Sequence, residues 1–163
     1  MAVKMNISAM AVDSATNMPI VLLKNEQTNQ TLPIWIGLLE ASAIATELEG
    51  IAMARPMTHD LMKHMLEALD AEVIKVVITD IRENTYYARL HINVGGKELE
   101  LDARPSDSIA LALRTKAPVF VEEKVLENTT PVEFSEEVDL SDEEKLKEML
   151  ETMDADEFGK YKM

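Results

Sequence analysis

The chain has 163 residues, the usual size of a single domain with one hydrophobic core. Apolar residues make up 47% and charged residues 28%, and this balance excludes wholesale disorder. There is no cysteine, which excludes disulfides, thiolate metal sites and a cysteine nucleophile and fits a reducing compartment. No apolar stretch approaches bilayer length and no signal-peptide pattern is present, so the sequence predicts a cytoplasmic protein with no membrane partner.

The formal net charge of −14 is unevenly distributed. Residues 1–118 hold eleven basic and fifteen acidic side chains, including all five arginines, whereas residues 119–163 hold five basic and fifteen acidic ones. The total argues against sequence-independent wrapping of nucleic acid by a basic surface. The nearly neutral first part remains compatible with a nucleic-acid substrate.

Three strands are predicted in the first 36 residues. Residues 3–9 alternate between apolar and polar side chains, which is the period of a half-buried strand, and residues 20–23 are a short apolar run typical of a strand buried on both faces. Residues 32–36 read as a third strand. Because Pro33 has no N–H to donate to a neighbour, we expect this strand at the edge of a sheet or Pro33 at its start.

Two helices are predicted next. The first follows Gly37 and ends near Gly50, with an apolar face formed by Leu39, Ala43, Ile44 and Leu48. The second begins near Thr58, which we expect to cap it, and has Asp60 in its positive first turn. Most of its apolar residues are expected in the core: Leu61, Met62, Met65, Leu66 and Leu69.

Residues 73–81, 86–94 and 97–103 predict an antiparallel meander. A two-residue turn at Gly95-Gly96 pairs residues whose numbers sum to 191, which gives one apolar and one polar face. On the polar face, the interpretation we favour for His91 and Glu100 is an ordinary surface pair. A helix from Ser106 to near Pro118 and a short strand at 119–121 complete the pattern.

These elements predict an α+β fold with a mixed, largely antiparallel sheet and packed helices. The domain is expected to span residues 1–130, and an acidic linker with an amphipathic C-terminal helix to span residues 131–163. In that second part Ser141 and Glu144 form a capping box, and an apolar stripe runs along the helix through Leu146, Met149, Leu150 and Met153.

The tripeptide Ala-Arg-Pro occurs twice, at residues 54–56 and 103–105, each time just before a predicted helix. The proline holds the preceding arginine extended, and an aspartate follows in the first turn of each helix. Two arginines and two aspartates are thereby placed at the starts of two helices, where anions and metal ions often bind.

Carboxylates near arginines are the main candidates for chemistry, since no phosphate-binding loop, serine-hydrolase elbow or His-Glu-x-x-His motif is present. Oxygen atoms of Glu40, Asp60, Asp102 and Asp107 are suitable ligands for a hard divalent cation. Arg55 and Arg104 are suitable to hold a phosphate in bidentate fashion. Two interpretations stay open at this point, a metal site and a structural network of ion pairs, of which spacing alone favours the second.

Three ordered motifs closely resemble the bifunctional nuclease domain family, over roughly residues 3–128. They are Leu-Pro-Ile-Trp-Ile-Gly at 32–37 followed by Glu40-Ala41, Arg-Pro-Met-Thr-His-Asp-Leu at 55–61, and Asp-Ala-Arg-Pro-Ser-Asp-Ser-Ile-Ala-Leu at 102–111. Ser108 is one departure, since the family more often has alanine there. The motif residues Thr58 and Ser106 are expected to act as helix caps.

The resemblance implies a nuclease that hydrolyses phosphodiester bonds in DNA, RNA or both. On this sequence it implies His59, Asp60, Asp102 and Asp107 as catalytic residues, with His59 as acid or base. Arg55 and Arg104 would bind substrate. Mg²⁺ or Mn²⁺ is expected on Glu40, Asp102 and Asp107.

The alternative function is a non-catalytic interaction or regulatory module that forms homo-oligomers. Under either function a homodimer or higher homo-oligomer is expected, because an apolar sheet edge or helix surface needs a cover.

Overall fold

The computed structural model describes residues 1–13 and 16–129. Within these residues the chain forms seven strands and four helices. The strands are β1 (Ala2–Val12), β2 (Pro19–Lys24), β3 (Thr31–Trp35), β4 (Ala71–Arg82), β5 (Thr85–Val94), β6 (Lys97–Ala103) and β7 (Val119–Glu122). The helices are α1 (Leu38–Leu48), α2 (Thr58–Ala68), α3 (Pro105–Thr115) and α4 (Glu123–Glu127).

All seven strands belong to one sheet with the order β3-β2-β1-β7-β4-β5-β6. Two antiparallel meanders, β1-β2-β3 and β4-β5-β6, are joined through β7, which is antiparallel to β1 and parallel to β4. The α+β fold with a mixed, mostly antiparallel sheet is therefore confirmed. The predicted acidic helix lies outside the described residues.

Pro33 lies in an edge strand, as predicted, because β3 pairs only with β2. The register of the β5–β6 hairpin is also as predicted, with Leu90 opposite Leu101 and Arg89 opposite Asp102. The apolar face of β5 is buried through Ala88, Leu90 and Ile92. Alternation of polar and apolar residues was sufficient here because one face of the hairpin lies on the core.

The surface position expected for His91 is wrong, since the side chain is 8% exposed. β5 lies between β4 and β6, and His91 is paired with Lys75 on one neighbouring strand and with Glu100 on the other. The Nδ1 atom of His91 lies 2.9 Å from Oε1 of Glu98 and 3.8 Å from Oε1 of its cross-strand partner Glu100. The closer contact is the diagonal one.

The buried faces of the first two helices differ from those predicted. In α1 the small side chains of Ala41, Ser42 and Ala45 are buried beside Ile44, whereas Leu39 and Leu48 are exposed. α1 packs on α3, and small side chains on a buried helix face let two helices approach closely. The three leucines of α1 lie on its outer side.

In α2 the prediction of a core position is wrong for Leu61, Met65 and Leu69, which are 54%, 56% and 67% exposed. The helix packs on α3 and β4 through its other side, where His59 is buried and Met62 and Leu66 are partly buried. An exposed row of apolar side chains at i, i+4 and i+8 results.

The prediction that Thr58 and Ser106 cap their helices is wrong. The residues at the N-cap positions of α2 and α3 are Met57 and Arg104, and neither Thr58 nor Ser106 caps a helix. In α2 the carboxylate of Asp60 accepts a hydrogen bond from the N–H of Met57 at 2.9 Å instead. Arg104 is extended, as expected of a residue before proline, and Pro105 is the first residue of α3.

The expected homo-oligomer remains a prediction, and the exposed row on α2 gives it a test. If a second copy covers Leu61 and Met65, Leu61→Glu should convert a dimer into a monomer of 18.2 kDa, because a buried unpaired charge is costly. Light scattering at micromolar concentration measures the mass. Met18→Glu, at an exposed apolar residue between β1 and β2, is the matched control. A monomeric wild-type protein would contradict the expected assembly.

Candidate functional site

The first turns of α1, α2 and α3 each hold an acidic residue at the third helical position, namely Glu40, Asp60 and Asp107. A carboxylate there is favourable because unpaired N–H groups and the helix dipole make the N-terminus of a helix positive. Since α1 and α2 both pack on α3, the fold brings their side chains within reach of the α3 residues described below.

Glu40, Arg104, Asp107 and His59 form a continuous chain of contacts, called here the Arg104 network. Nη1 of Arg104 donates to Oε1 of Glu40 at 2.9 Å, and its Nε donates to Oδ2 of Asp107 at 2.7 Å. The other oxygen of Asp107, Oδ1, lies 3.0 Å from Nε2 of His59. One guanidinium and one carboxylate therefore connect three helices.

Arg104 keeps donors for a ligand. Its two contacts use two of the five N–H groups that a guanidinium has, and the side chain is 64% exposed. The hydrogen bond and charge of Asp107, followed by those of Glu40, raise the pKa of Arg104, so the group stays cationic. It is placed to bind a phosphate oxygen while it holds both carboxylates.

Asp107 determines the state of the histidine beside it. Burial acts to raise the pKa of Asp107, but the hydrogen bonds from Arg104 and His59 and their charges outweigh it, and the pKa lies below its usual value. The ionised carboxylate accepts a hydrogen bond, so Nε2 of His59 carries a proton. In the neutral ring Nδ1 is then the basic nitrogen.

Asp60 faces away from this network. Its Oδ1 accepts a hydrogen bond from Nε of Arg114 at 2.6 Å, and its Oδ2 accepts the N–H of Met57. Burial acts to raise the pKa of Asp60, but these hydrogen bonds and the charge of Arg114 lower it overall. One oxygen thus holds α2 to α3, and the other closes the first turn of α2.

Asp102 is not brought to the network. It lies on the polar face of the β5–β6 hairpin, is 73% exposed, and contacts Arg89 at 3.9 Å. Among the described residues no group of three or more His, Asp or Glu side chains is placed to hold a metal ion. The predicted ligands Glu40 and Asp107 meet on Arg104, while the third, Asp102, lies elsewhere, so the described residues do not fit a three-carboxylate metal site.

Arg55 lies apart from the network as well. It lines a pocket of about 310 Å³ between the end of α1, the following loop, α2 and α3. The two Ala-Arg-Pro segments are thus not equivalent. Arg104 immediately precedes α3, whereas Met57 separates Arg55-Pro56 from α2.

Three residues that support the site were not predicted to do so. Arg114 is buried and anchors Asp60, and Ser108 donates to the carbonyl oxygen of Arg104 at 3.0 Å. Gly37 leaves room for Glu40, because a Cβ atom at Gly37 would collide with the Glu40 carboxylate. The signal for Arg114 was present, since it is a lone charge in an apolar run that the helical period places on a buried face.

The requirement for Gly37 predicts coupling between two substitutions. Gly37→Ala should displace the Glu40 side chain and destabilise the wild-type protein by about 0.5–1 kcal/mol more than it destabilises a Glu40→Ala variant. Urea unfolding of the four proteins measures this difference. Equal effects of Gly37→Ala in both backgrounds would contradict the close approach.

The lowered pKa of Asp107 predicts how stability depends on pH. A carboxylate whose pKa is lower in the folded state stabilises that state above its unfolded value of about 3.9, and this contribution is lost as pH falls through the folded value. The difference in free energy of unfolding between the wild type and Asp107→Asn should therefore be largest near neutral pH and shrink on acidification. A difference in free energy of unfolding that grows as pH falls would contradict a lowered pKa of Asp107.

Comparisons with known proteins agree with the motif pattern. A model of the bifunctional nuclease domain matches residues 21–133. An uncharacterised protein of Mycobacterium tuberculosis is 39% identical over 162 residues, covering 95% of this chain and 97% of that protein. Bifunctional nuclease 1 of Oryza sativa subsp. indica is 32% identical over 119 residues, covering 71% of this chain, and Bifunctional nuclease 2 of Arabidopsis thaliana is 31% identical over 110 residues, covering 66%.

The matched regions span only 36% and 33% of those two plant proteins. No helix among residues 1–13 and 16–129 is long and apolar enough to cross a membrane.

Proposed function

Because this chain belongs to the bifunctional nuclease domain family, we propose that it hydrolyses phosphodiester bonds in DNA or RNA. The observation that carries the proposal is the contact chain from Arg104 through Asp107 to His59. Phosphodiester hydrolysis needs a base that activates water and a cation that stabilises charge on the phosphate. The chain lacks cysteine, which fits action in the cytoplasm.

In the proposed reaction His59 acts as the general base. Nδ1 takes a proton from a water molecule, the water oxygen forms a bond to phosphorus, and the bond from phosphorus to the leaving ester oxygen breaks. The leaving oxygen takes up the proton that the imidazolium releases, which restores neutral His59. Asp107 does not react with substrate. It orients the imidazole through Nε2 and stabilises the imidazolium that forms, so it acts as a positioning residue.

Arg104 stabilises the phosphate as negative charge develops. Its remaining N–H groups bind the non-bridging oxygens, and its two carboxylate contacts fix the guanidinium before substrate arrives. Glu40 has no reacting atom in this scheme. It acts on catalysis by holding Arg104.

Substitutions in the network are expected to lower cleavage strongly. His59→Gln should reduce the rate of cleavage of a single-stranded oligonucleotide by about 10²–10⁴-fold, the usual contribution of a general base. Asp107→Asn should abolish detectable cleavage while circular dichroism shows a retained fold. Asp70→Asn, which changes an exposed carboxylate just after α2, is the matched control. Undiminished cleavage by Asp107→Asn would remove Asp107 from the mechanism and favour the non-catalytic module.

Dependence on Mg²⁺ or Mn²⁺ remains a prediction, and no step above passes through a metal ion. Titration of either ion into EDTA-treated protein should restore cleavage. Asp102→Asn then tests whether Asp102 is a metal ligand. If Asp102 binds the ion despite its position beside Arg89, this variant should no longer recover cleavage when the ion is added. Full cleavage in EDTA, lost in Asp107→Asn, would contradict the predicted metal requirement.

A further inference from the structure

The pocket beside Arg55 lies apart from the Arg104 network. It lies at the opposite side of the first turn of α2 from the network: Asp60 and Arg114 line the pocket, while His59, one residue before Asp60, faces Asp107. Consecutive residues are 3.8 Å apart along the backbone, so a ligand in the pocket lies next to the part of α2 that holds His59.

The pocket is locally cationic in an acidic protein. Its lining includes three cationic side chains, Arg55, Lys63 and Arg114, and two carboxylates, Glu47 and Asp60. The charge of Asp60 is already matched by buried Arg114. Arg55 is exposed and makes no hydrogen bond or ion pair within residues 1–13 and 16–129, and Lys63 has only a 3.7 Å contact with Glu67. Two cations are therefore available for an anionic ligand.

One side of the pocket is apolar. Ile51 and Met53 line it and are 51% and 44% exposed. Apolar side chains beside cationic ones suit a ligand that combines a flat apolar group with a phosphate. A volume of about 310 Å³ is at the small end for ligand pockets and admits one nucleotide, but not a base-paired duplex.

We propose that this pocket binds one nucleotide of single-stranded DNA or RNA, with its phosphate on Arg55 and Lys63 and its base against Ile51 and Met53. The inference rests on the proposed nuclease function, because it assigns the pocket to the strand that the network cleaves. It also sets the substrate class, since a paired base would have to leave its duplex to enter.

The test uses ligands without a phosphodiester bond, so that binding is measured independently of cleavage. Calorimetry on the full chain compares thymidine monophosphate, thymidine and inorganic phosphate. The monophosphate should bind at least about tenfold more tightly than either part alone, because charged hydrogen bonds and apolar contact then act together. Equal affinity for the monophosphate and inorganic phosphate would overturn the assignment of the base.

Three variants test which residues bind the phosphate and which contact the base. Arg55→Gln should lower the affinity for the monophosphate about tenfold or more. Met53→Ser should lower the affinity for the monophosphate without changing the affinity for inorganic phosphate. Lys97→Gln removes an equal charge at the first residue of β6 and should leave affinity unchanged. Equal losses of affinity in Arg55→Gln and Lys97→Gln would show only general electrostatic attraction and would overturn the assignment of the nucleotide to this pocket.

A competition experiment tests the substrate class. A single-stranded oligonucleotide should displace the monophosphate, and a duplex of the same sequence should not. Displacement by both at equal concentration would contradict the single-strand assignment. Cleavage without monophosphate binding would refute this inference alone, whereas binding without any cleavage would refute the proposed function and leave a nucleotide-binding pocket.

Discussion

The guanidinium of Arg104 is the group on which the arrangement of the helices depends. It follows β6 directly, precedes α3, and binds carboxylates from the first turns of α1 and α3. Each of those turns is positive because its N–H groups lack partners inside the helix, so two helix starts brought close together would repel. Glu40 and Asp107 neutralise both ends, and the guanidinium satisfies both carboxylates at once.

The same contacts prepare the histidine. His59 is 8% exposed, and a buried imidazole needs a partner for its N–H group. Asp107 supplies that partner, and the hydrogen bond and charge of Arg104 help to keep its pKa below the usual value. The groups that fix the packing of the helices therefore also fix the tautomer of His59, and a substitution that disturbs one role disturbs the other. Asp60 and Arg114 form a second link between α2 and α3 that keeps the first turn of α2 in place.

Local patterns predicted the parts of the fold that local chemistry decides. Alternation and the Gly95-Gly96 turn were sufficient for the register of β5 and β6, and Pro33 was sufficient for the edge position of β3. The outer faces of the helices were not predictable in this way, because Leu61 and Met65 match a buried stripe by period alone. Which side of α2 is covered depends on where α3 lies.

The candidate site was predictable as a set of residues but not as a geometry. The motifs placed Glu40, His59, Arg104 and Asp107 near helix starts, and the structure brings these four into contact. Asp102 was grouped with them because it is close in sequence. Asp102 does not reach the network because it lies within β6 and contacts Arg89 across the hairpin, whereas Arg104 lies beyond the end of β6 at the start of α3. The Arg55 pocket was missed because its walls depend on how residues 46–64 fold back on themselves and on Arg114 of α3, which is distant in sequence.

The place of β7 in the sheet has a consequence for how the molecule is made. This four-residue strand is the last strand of the described chain, yet it lies between β1 and β4 at the centre of the sheet. Each meander pairs its own strands locally, and among residues 1–13 and 16–129 the two halves are joined in the sheet only through β7. A ribosome must therefore release residue 122 before the halves can join, and until then the inner edges of β1 and β4 expose unpaired backbone groups that could pair with another chain.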